Sequence, residues 1–314
     1  MLIRSAKHFD VIQIQQGAYV AIAKEGAGAM ANTGFVDLGE TILVFDSFNT
    51  QQAAAELRDA ITSITGKPIS HLINSHWHGD HIRGNQIFRD VSIVATEHTK
   101  RIMQENHPAR IARQRAGLNE LHEYIENLER QQNSTEDGTQ RTHLTQQISF
   151  LKEIEISLPT LELVLPNETF ETTWYTEGTN QRVECHTLGG GHTVSDSFLY
   201  IPDARICYIG DLVAVNNHML IVDGNIQNWI SILDELRNWE FDYVVPGHGQ
   251  IGGKEWIERA ADYLSDLLET SNELREKGYT EVDIGALDIP EKYKTWAASE
   301  VYLKNIQHLL REDK

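Results

Sequence analysis

Apolar residues in the first hundred positions fall in short blocks rather than helical stretches. Val11-Ile12-Gln13-Ile14, Ala18-Tyr19-Val20-Ala21-Ile22 and Gly34-Phe35-Val36-Asp37-Leu38 have the length and composition of strands. Thr41-Ile42-Leu43-Val44-Phe45-Asp46 is nearly continuous and apolar, the pattern of a strand buried on both faces. After Thr50, a capping residue, Ala53, Leu57, Ile61 and Ile64 recur at helical spacing until Gly66-Lys67-Pro68 stops them. Ile69-Ser70-His71-Leu72-Ile73-Asn74 reads as strand again. Residues 75–81 therefore form a loop at a strand's C-terminal end, the edge where α/β sheets bind ligands.

The stretch 97–158 follows another rhythm. Leu118, Leu121, Ile125 and Leu128 are spaced three-four-three, and Leu144, Ile148 and Leu151 four-three, around the turn Asn133-Ser134-Thr135-Glu136-Asp137-Gly138. This predicts an antiparallel helical hairpin with a coiled-coil-like seam, inserted as a lid, a dimer arm or side packing. Strands return at Leu161-Glu162-Leu163-Val164-Leu165, at 182–186, at 197–201 and at 205–209. A helix over 228–239 precedes the strand Tyr243-Val244-Val245, and residues from Lys254 are mostly helical. The expected organisation is one domain over 1–314, with a helical insertion at 97–158 and a C-terminal helical extension at 254–314.

Composition narrows the classes. Of 314 residues 40% are hydrophobic and 23% charged, which excludes a disordered chain. No apolar run approaches the ~18 residues of a spanning helix. Met1-Leu2-Ile3-Arg4-Ser5 lacks a signal-type apolar stretch, so a cytoplasmic location is expected. With 27 basic and 46 acidic side chains the net charge is −19, which argues against long nucleic acid and anionic membranes as partners. Cys185 and Cys207 are too few for a disulfide framework and read as buried thiols.

Chemistry concentrates in His76-Trp77-His78-Gly79-Asp80-His81. Three imidazoles and a carboxylate add little to packing and are costly to bury unpaired, yet they suit zinc and similar ions. In an extended loop residues two apart point the same way, so His76 and His78 can grip one ion while Asp80 and His81 turn toward a second. Three further donors sit near strand ends: His192 in Gly189-Gly190-Gly191-His192-Thr193, Asp211 after Ile209-Gly210, and His248 in Val245-Pro246-Gly247-His248-Gly249.

These motifs, in this order over about residues 10–250, resemble the metallo-β-lactamase superfamily. The resemblance implies an αββα sandwich and a site for two divalent ions, zinc first with manganese or iron as alternatives. His76, His78 and His192 would hold the first ion, Asp80, His81 and His248 the second, and Asp211 would bridge them. It further implies a hydrolase whose metal-held hydroxide attacks a small-molecule ester, thioester, lactone or amide, with Asp80 orienting the hydroxide. His218, in the loop after Asp211, is the candidate proton donor to a leaving group. Ser195 and Asp196 read as support for the ligand His192 rather than as a triad. Trp77 and Trp229 are either pocket walls or core.

Zinc β-lactamases of this family typically carry Cys or Ser where Asp211 stands, so the glyoxalase II-like and lactonase-like branches fit better. The alternatives are a phosphodiesterase for small phosphoesters or nucleotides, a β-lactamase, and an iron-dependent oxidoreductase. The expected partner is a small-molecule substrate, and the helical insertion also fits a homodimer.

Overall fold

Thr50 illustrates how local signals govern this chain. Its hydroxyl accepts from the Ala53 amide, and Gly66, at φ 66°, closes the far end, so helix α1 spans Gln51–Thr65. The structure, a computed structural model, describes residues 1–312. They form two compact units, Met1–Glu171 with Thr176–Arg182, and Thr172–Tyr175 with the chain from Val183 onward.

The first unit holds a sheet whose strands lie in chain order. They are β1 (Leu2–Ser5), β2 (Phe9–Gln15), β3 (Ala18–Ala23), β4 (Thr33–Asp37), β5 (Ile42–Phe45), β6 (Ile69–Ile73), β7 (Ser92–Thr96) and β8 (Glu168–Phe170). Pairing is antiparallel from β1 to β5 and parallel from β5 to β8. The change falls at α1, because a parallel neighbour requires a crossover. Ala53, Leu57, Ala60 and Ile61 of α1 pack into one core with Phe9, Phe35, Val44 and Leu72. Beyond β6 the chain enters a loop and the single turn α2 (Gly79–Ile82).

The insertion comprises α3 (Glu97–Ala116), α4 (Leu118–Ser134) and α5 (Gly138–Ser157). Ile125, Leu128, Leu144 and Ile148 form a separate small core between α4 and α5. Gln132 bonds Thr145 and Lys152 bonds Glu129, so the two helices run antiparallel as their spacing predicts. Asp137 caps α5 by accepting from the Thr139 and Gln140 amides.

The strand expected at Leu161–Leu165 is absent: these residues join no sheet. Leu161 and Leu163 pack with Ile111, Leu118 and Leu158 instead. Side chains satisfy the backbone here, with Gln86 accepting from the Glu162 amide and Asn85 donating to the Val164 carbonyl. Alternation reports burial, and here the burying partner is helical.

The second sheet has the order β13-β12-β11-β10-β9. Its strands are β9 (Thr173–Glu177), β10 (Arg182–Thr187), β11 (Ser197–Ile201), β12 (Ile206–Ala214) and β13 (Tyr243–His248). α6 (Ile226–Leu236) connects the parallel pair β12 and β13, beginning two residues before the expected 228 because Asn225 is its cap. α7 (Glu255–Glu276) and α8 (Ser299–Glu312) follow. Trp229, Leu233, Ile257, Leu264, Tyr302 and Ile306 share one core with β12. Cys185 and Cys207 are fully buried thiols, and burial pushes the Cys207 thiol up. No described helix is long and apolar enough to cross a membrane.

Candidate metal centre

In the first unit the loop after β6 gathers the H-x-H-x-D-H side chains. The ring centroids of His76 and His78 lie 4.8 Å apart and those of His76 and His81 4.3 Å apart. Asp80 Oδ2 is 3.5 Å from His81 Nε2. One buried carboxylate, Asp46, orients two of these rings. His81 Nδ1 donates to Asp46 Oδ2 at 2.7 Å, and the Ser75 hydroxyl donates to the same oxygen at 2.8 Å. With its hydrogen committed, Ser75 Oγ accepts from His76 Nδ1 at 2.9 Å. When neutral, both imidazoles therefore carry their lone pair on Nε2, the tautomer a metal requires.

Asp46 follows β5 with φ at +65°, a conformation few residues other than glycine adopt. Burial pushes its carboxyl above the usual carboxylate range, against the pull of His81 and Ser75. The loop is braced further by Asn74 and Asn85, whose amides bond one another, and by Ser47, which donates to the His81 carbonyl. Gly84 is required beneath it, since a Cβ there would stand 1.8 Å from the Ser47 carbonyl oxygen. From α3, His107 Nε2 donates to the Trp77 carbonyl at 2.8 Å and pins the peptide between the two ligands. Burial pushes His107 down to about 4.

In the second unit two imidazoles converge on one carboxylate oxygen. Asp211 Oδ2 lies 3.4 Å from His192 Nε2 and 3.3 Å from His248 Nε2. Asp211 was expected just beyond a strand's end, but β12 runs on to Ala214 and places it inside. Gly210, at φ +58°, and a register shift between Gly210 and Ala214 turn the strand here, as a bulge does. Gly247 on β13 makes room, because a Cβ there would meet the Asp211 carboxylate at 1.8 Å.

His192 is held on two sides. Its Nδ1 donates to the Leu220 carbonyl at 3.0 Å, and its ring packs edge-on to Trp229, which is fully buried in the core. Asp196 organises the loop by accepting from the Gly191 and Thr193 amides and the Thr193 hydroxyl. That carboxylate shapes backbone, as expected of support rather than a triad member.

His218 has a different setting from the one expected. It is 4% exposed, its Nε2 donates to the Tyr293 carbonyl, and its Nδ1 meets the Tyr263 hydroxyl. Tyr263, Tyr293, Trp296 and Tyr302 surround the ring. Both nitrogens are engaged by protein, so the imidazole serves packing rather than proton donation. Trp77 is 7% exposed and packs with Ile82 and Met103, and His71 stays on β6 beside Ser70. Sequence reasoning missed Asp46 and His107. An acid closing an apolar run was the one visible trace of Asp46; nothing in the helical stretch marked His107.

All seven expected ligands belong to His/Asp groups able to hold a metal ion. The donor set fits one. In His192 the Nδ1 proton is committed to a carbonyl, so a neutral ring would offer its Nε2 lone pair beside the Asp211 carboxylate, a donor pair suited to a cation.

Two sheets with eight α-helices among the described residues, and His and Asp donors on strands and the loops that follow them, define a metallo-β-lactamase fold. The model of the metallo-beta-lactamase superfamily matches residues 26–248, and the chain belongs to that superfamily, whose members are mostly hydrolytic metalloenzymes. It is 30% identical over 96 residues to the metallo-beta-lactamase type 2 of Bacteroides fragilis, a match covering 29% of this chain. The chain spans 38% of the length of that curated relative. The structure resembles that of a metallo-beta-lactamase from Pontibacter korlensis with a TM-score of 0.59 at 18% identity, covering 82% of this chain and 99% of the other. That likeness is one of fold.

Proposed function

We propose that the protein is a dinuclear metallohydrolase, zinc-dependent in the first instance, that cleaves an ester, thioester, lactone or amide bond in a small molecule. The observation that carries this reading is Asp211, one carboxylate oxygen facing the Nε2 atoms of His192 and His248 at 3.4 and 3.3 Å. In this reading His76, His78 and His192 hold one ion, Asp80, His81 and His248 the other, and Asp211 bridges. A bound pair of divalent ions supplies Lewis acidity and lowers the pKa of coordinated water. Asp80 accepts a hydrogen bond from the attacking water and orients it. Asp46, Ser75 and Leu220 hold the imidazole tautomers, so ligand lone pairs stay aimed without rearrangement. The net charge of −19 favours a small substrate over a nucleic-acid chain.

β-Lactam hydrolysis is a second reading, supported by the name of the Bacteroides fragilis relative. Metal analysis joined to a panel of lactone, thioester, β-lactam and phosphodiester substrates separates the two. Turnover confined to the β-lactam favours the second reading, and turnover confined to the phosphodiester removes both. The Asp211→Ala variant is expected to lower occupancy of both ions, since a bridge serves both. Two-metal stoichiometry retained in that variant by elemental analysis would count against the bridge.

A further inference from the structure

We propose that Asn305, on the C-terminal helix α8, is a positioning residue for His192 and acts through a single peptide unit. The proposal rests on the reading of His192 as a metal ligand. His192 Nδ1 donates to the carbonyl of Leu220 at 3.0 Å. Leu220 lies in the segment between β12 and α6, outside any helix or strand. A carbonyl in such a segment holds an imidazole only as firmly as its own peptide plane is held.

Asn305 supplies that hold. The Ile221 amide, which belongs to the same peptide plane as the Leu220 carbonyl, donates to Asn305 Oδ1 at 3.2 Å. Asn305 Nδ2 donates to the carbonyl of Met219, in the preceding plane, at 2.7 Å. In a trans peptide the N–H and C=O point in opposite directions. Asn305 gripping one side of the Leu220–Ile221 peptide therefore turns its carbonyl the other way, toward His192. The hydrogen bond at the amide also polarises the carbonyl and strengthens it as an acceptor.

The surroundings match a clasp. Asn305 is 0% exposed, and its helix is anchored in the core by Tyr302, Ile306, Leu309 and Leu310. A few residues upstream the same strap is tied to the C-terminal region, with the His218 amide donating to the Ala297 carbonyl and the Ala297 amide to the Asn216 carbonyl. The Asn305 amide grips the strap at both ends and also bonds the Tyr263 side chain, and a leucine of similar volume would make none of these bonds. The extension from residue 254 thereby gains a part in the metal centre that its position in the sequence does not suggest.

The test uses purified full-length protein, Zn²⁺ as the probe and chelator competition as the readout. Expected for Asn305→Leu is a roughly tenfold to hundredfold loss of affinity for the ion bound by His192, the range typical of lost ligand support. The other ion should move less. Imidazole ¹⁵N–¹H spectra should show faster exchange of the His192 Nδ1 proton. Leu309→Ala, a core truncation on the same helix, controls for stability: it should lower Tm while leaving the affinities near wild type. Asn305→Ser fits the buried site and can make at most one of the two bonds, so it should fall between wild type and Asn305→Leu. It carries the test if Asn305→Leu does not fold. Affinities unchanged in the Asn305 variants, or lost equally in Leu309→Ala, would overturn the proposal. Wild-type protein that binds no zinc would instead sink the reading of the site itself.

Discussion

Asp46 carries more of the candidate centre than any residue that would touch an ion. One carboxylate takes the Nδ1 proton of His81 directly and that of His76 through Ser75. Asn at this position keeps the volume, but its one oxygen can serve either the His81 and Ser75 side chains or the Ser75 amide, and its NH2 group then faces a donor. Asp46→Asn is expected to weaken zinc binding roughly tenfold to a hundredfold in chelator competition. His107 gives a prediction in pH. Its folded pKa of about 4 lies below the 6.5 of an ordinary imidazole, so between those values the unfolded chain binds the extra proton. This residue's contribution to stability is therefore constant above pH 6.5 and falls as the pH drops toward 4, by on the order of 3 kcal/mol in all. Urea unfolding of wild type and His107→Gln at neutral and mildly acidic pH should show the two converge as the pH falls. Parallel pH profiles would refute the assignment.

Among the elements, those written in local signals were the legible ones. Thr50 and Gly66 delimit α1 as expected, and the heptad-like leucines of α4 and α5 meet each other. The strand at Leu161–Leu165 failed because alternation there serves packing on helices, and Asp211 fell inside β12 because Gly210 lets the strand bend without ending. The candidate ligand motifs could be found in sequence because three His and an Asp within six residues serve no packing purpose. Asn305 could not, since an asparagine among apolar helix positions looks the same whether it clasps backbone or faces water. The hairpin core is small, which invites a direct measurement. Ile148→Ala should cost about 2–4 kcal/mol locally. Hydrogen exchange should quicken along α4 and α5 while the strands of the first sheet keep their protection.

For the whole molecule, charge is the property with the widest reach. A net charge of −19 surrounds any anionic substrate with repulsion that salt relieves. If the substrate is a carboxylate or phosphoester, kcat/KM should rise with ionic strength, whereas a neutral lactone should be indifferent. A steep fall with salt would mean that local positive charge outweighs the total. Sequence reading anticipated the superfamily and singled out the His and Asp residues that group in the structure, but not the side chains that brace them. Those supports act through backbone groups, which every residue possesses and no composition reveals.

The turn between α4 and α5 offers a practical handle. Residues 135–137 are solvent-facing at their outer positions, and each flanking helix ends on its own caps. The 17 residues of α4 carry that tip about 25 Å along the helix axis from its own start. A dye or a short epitope grafted there would sit on a stiff boom, and polarised fluorescence from it would show whether the boom swings when a reactant arrives.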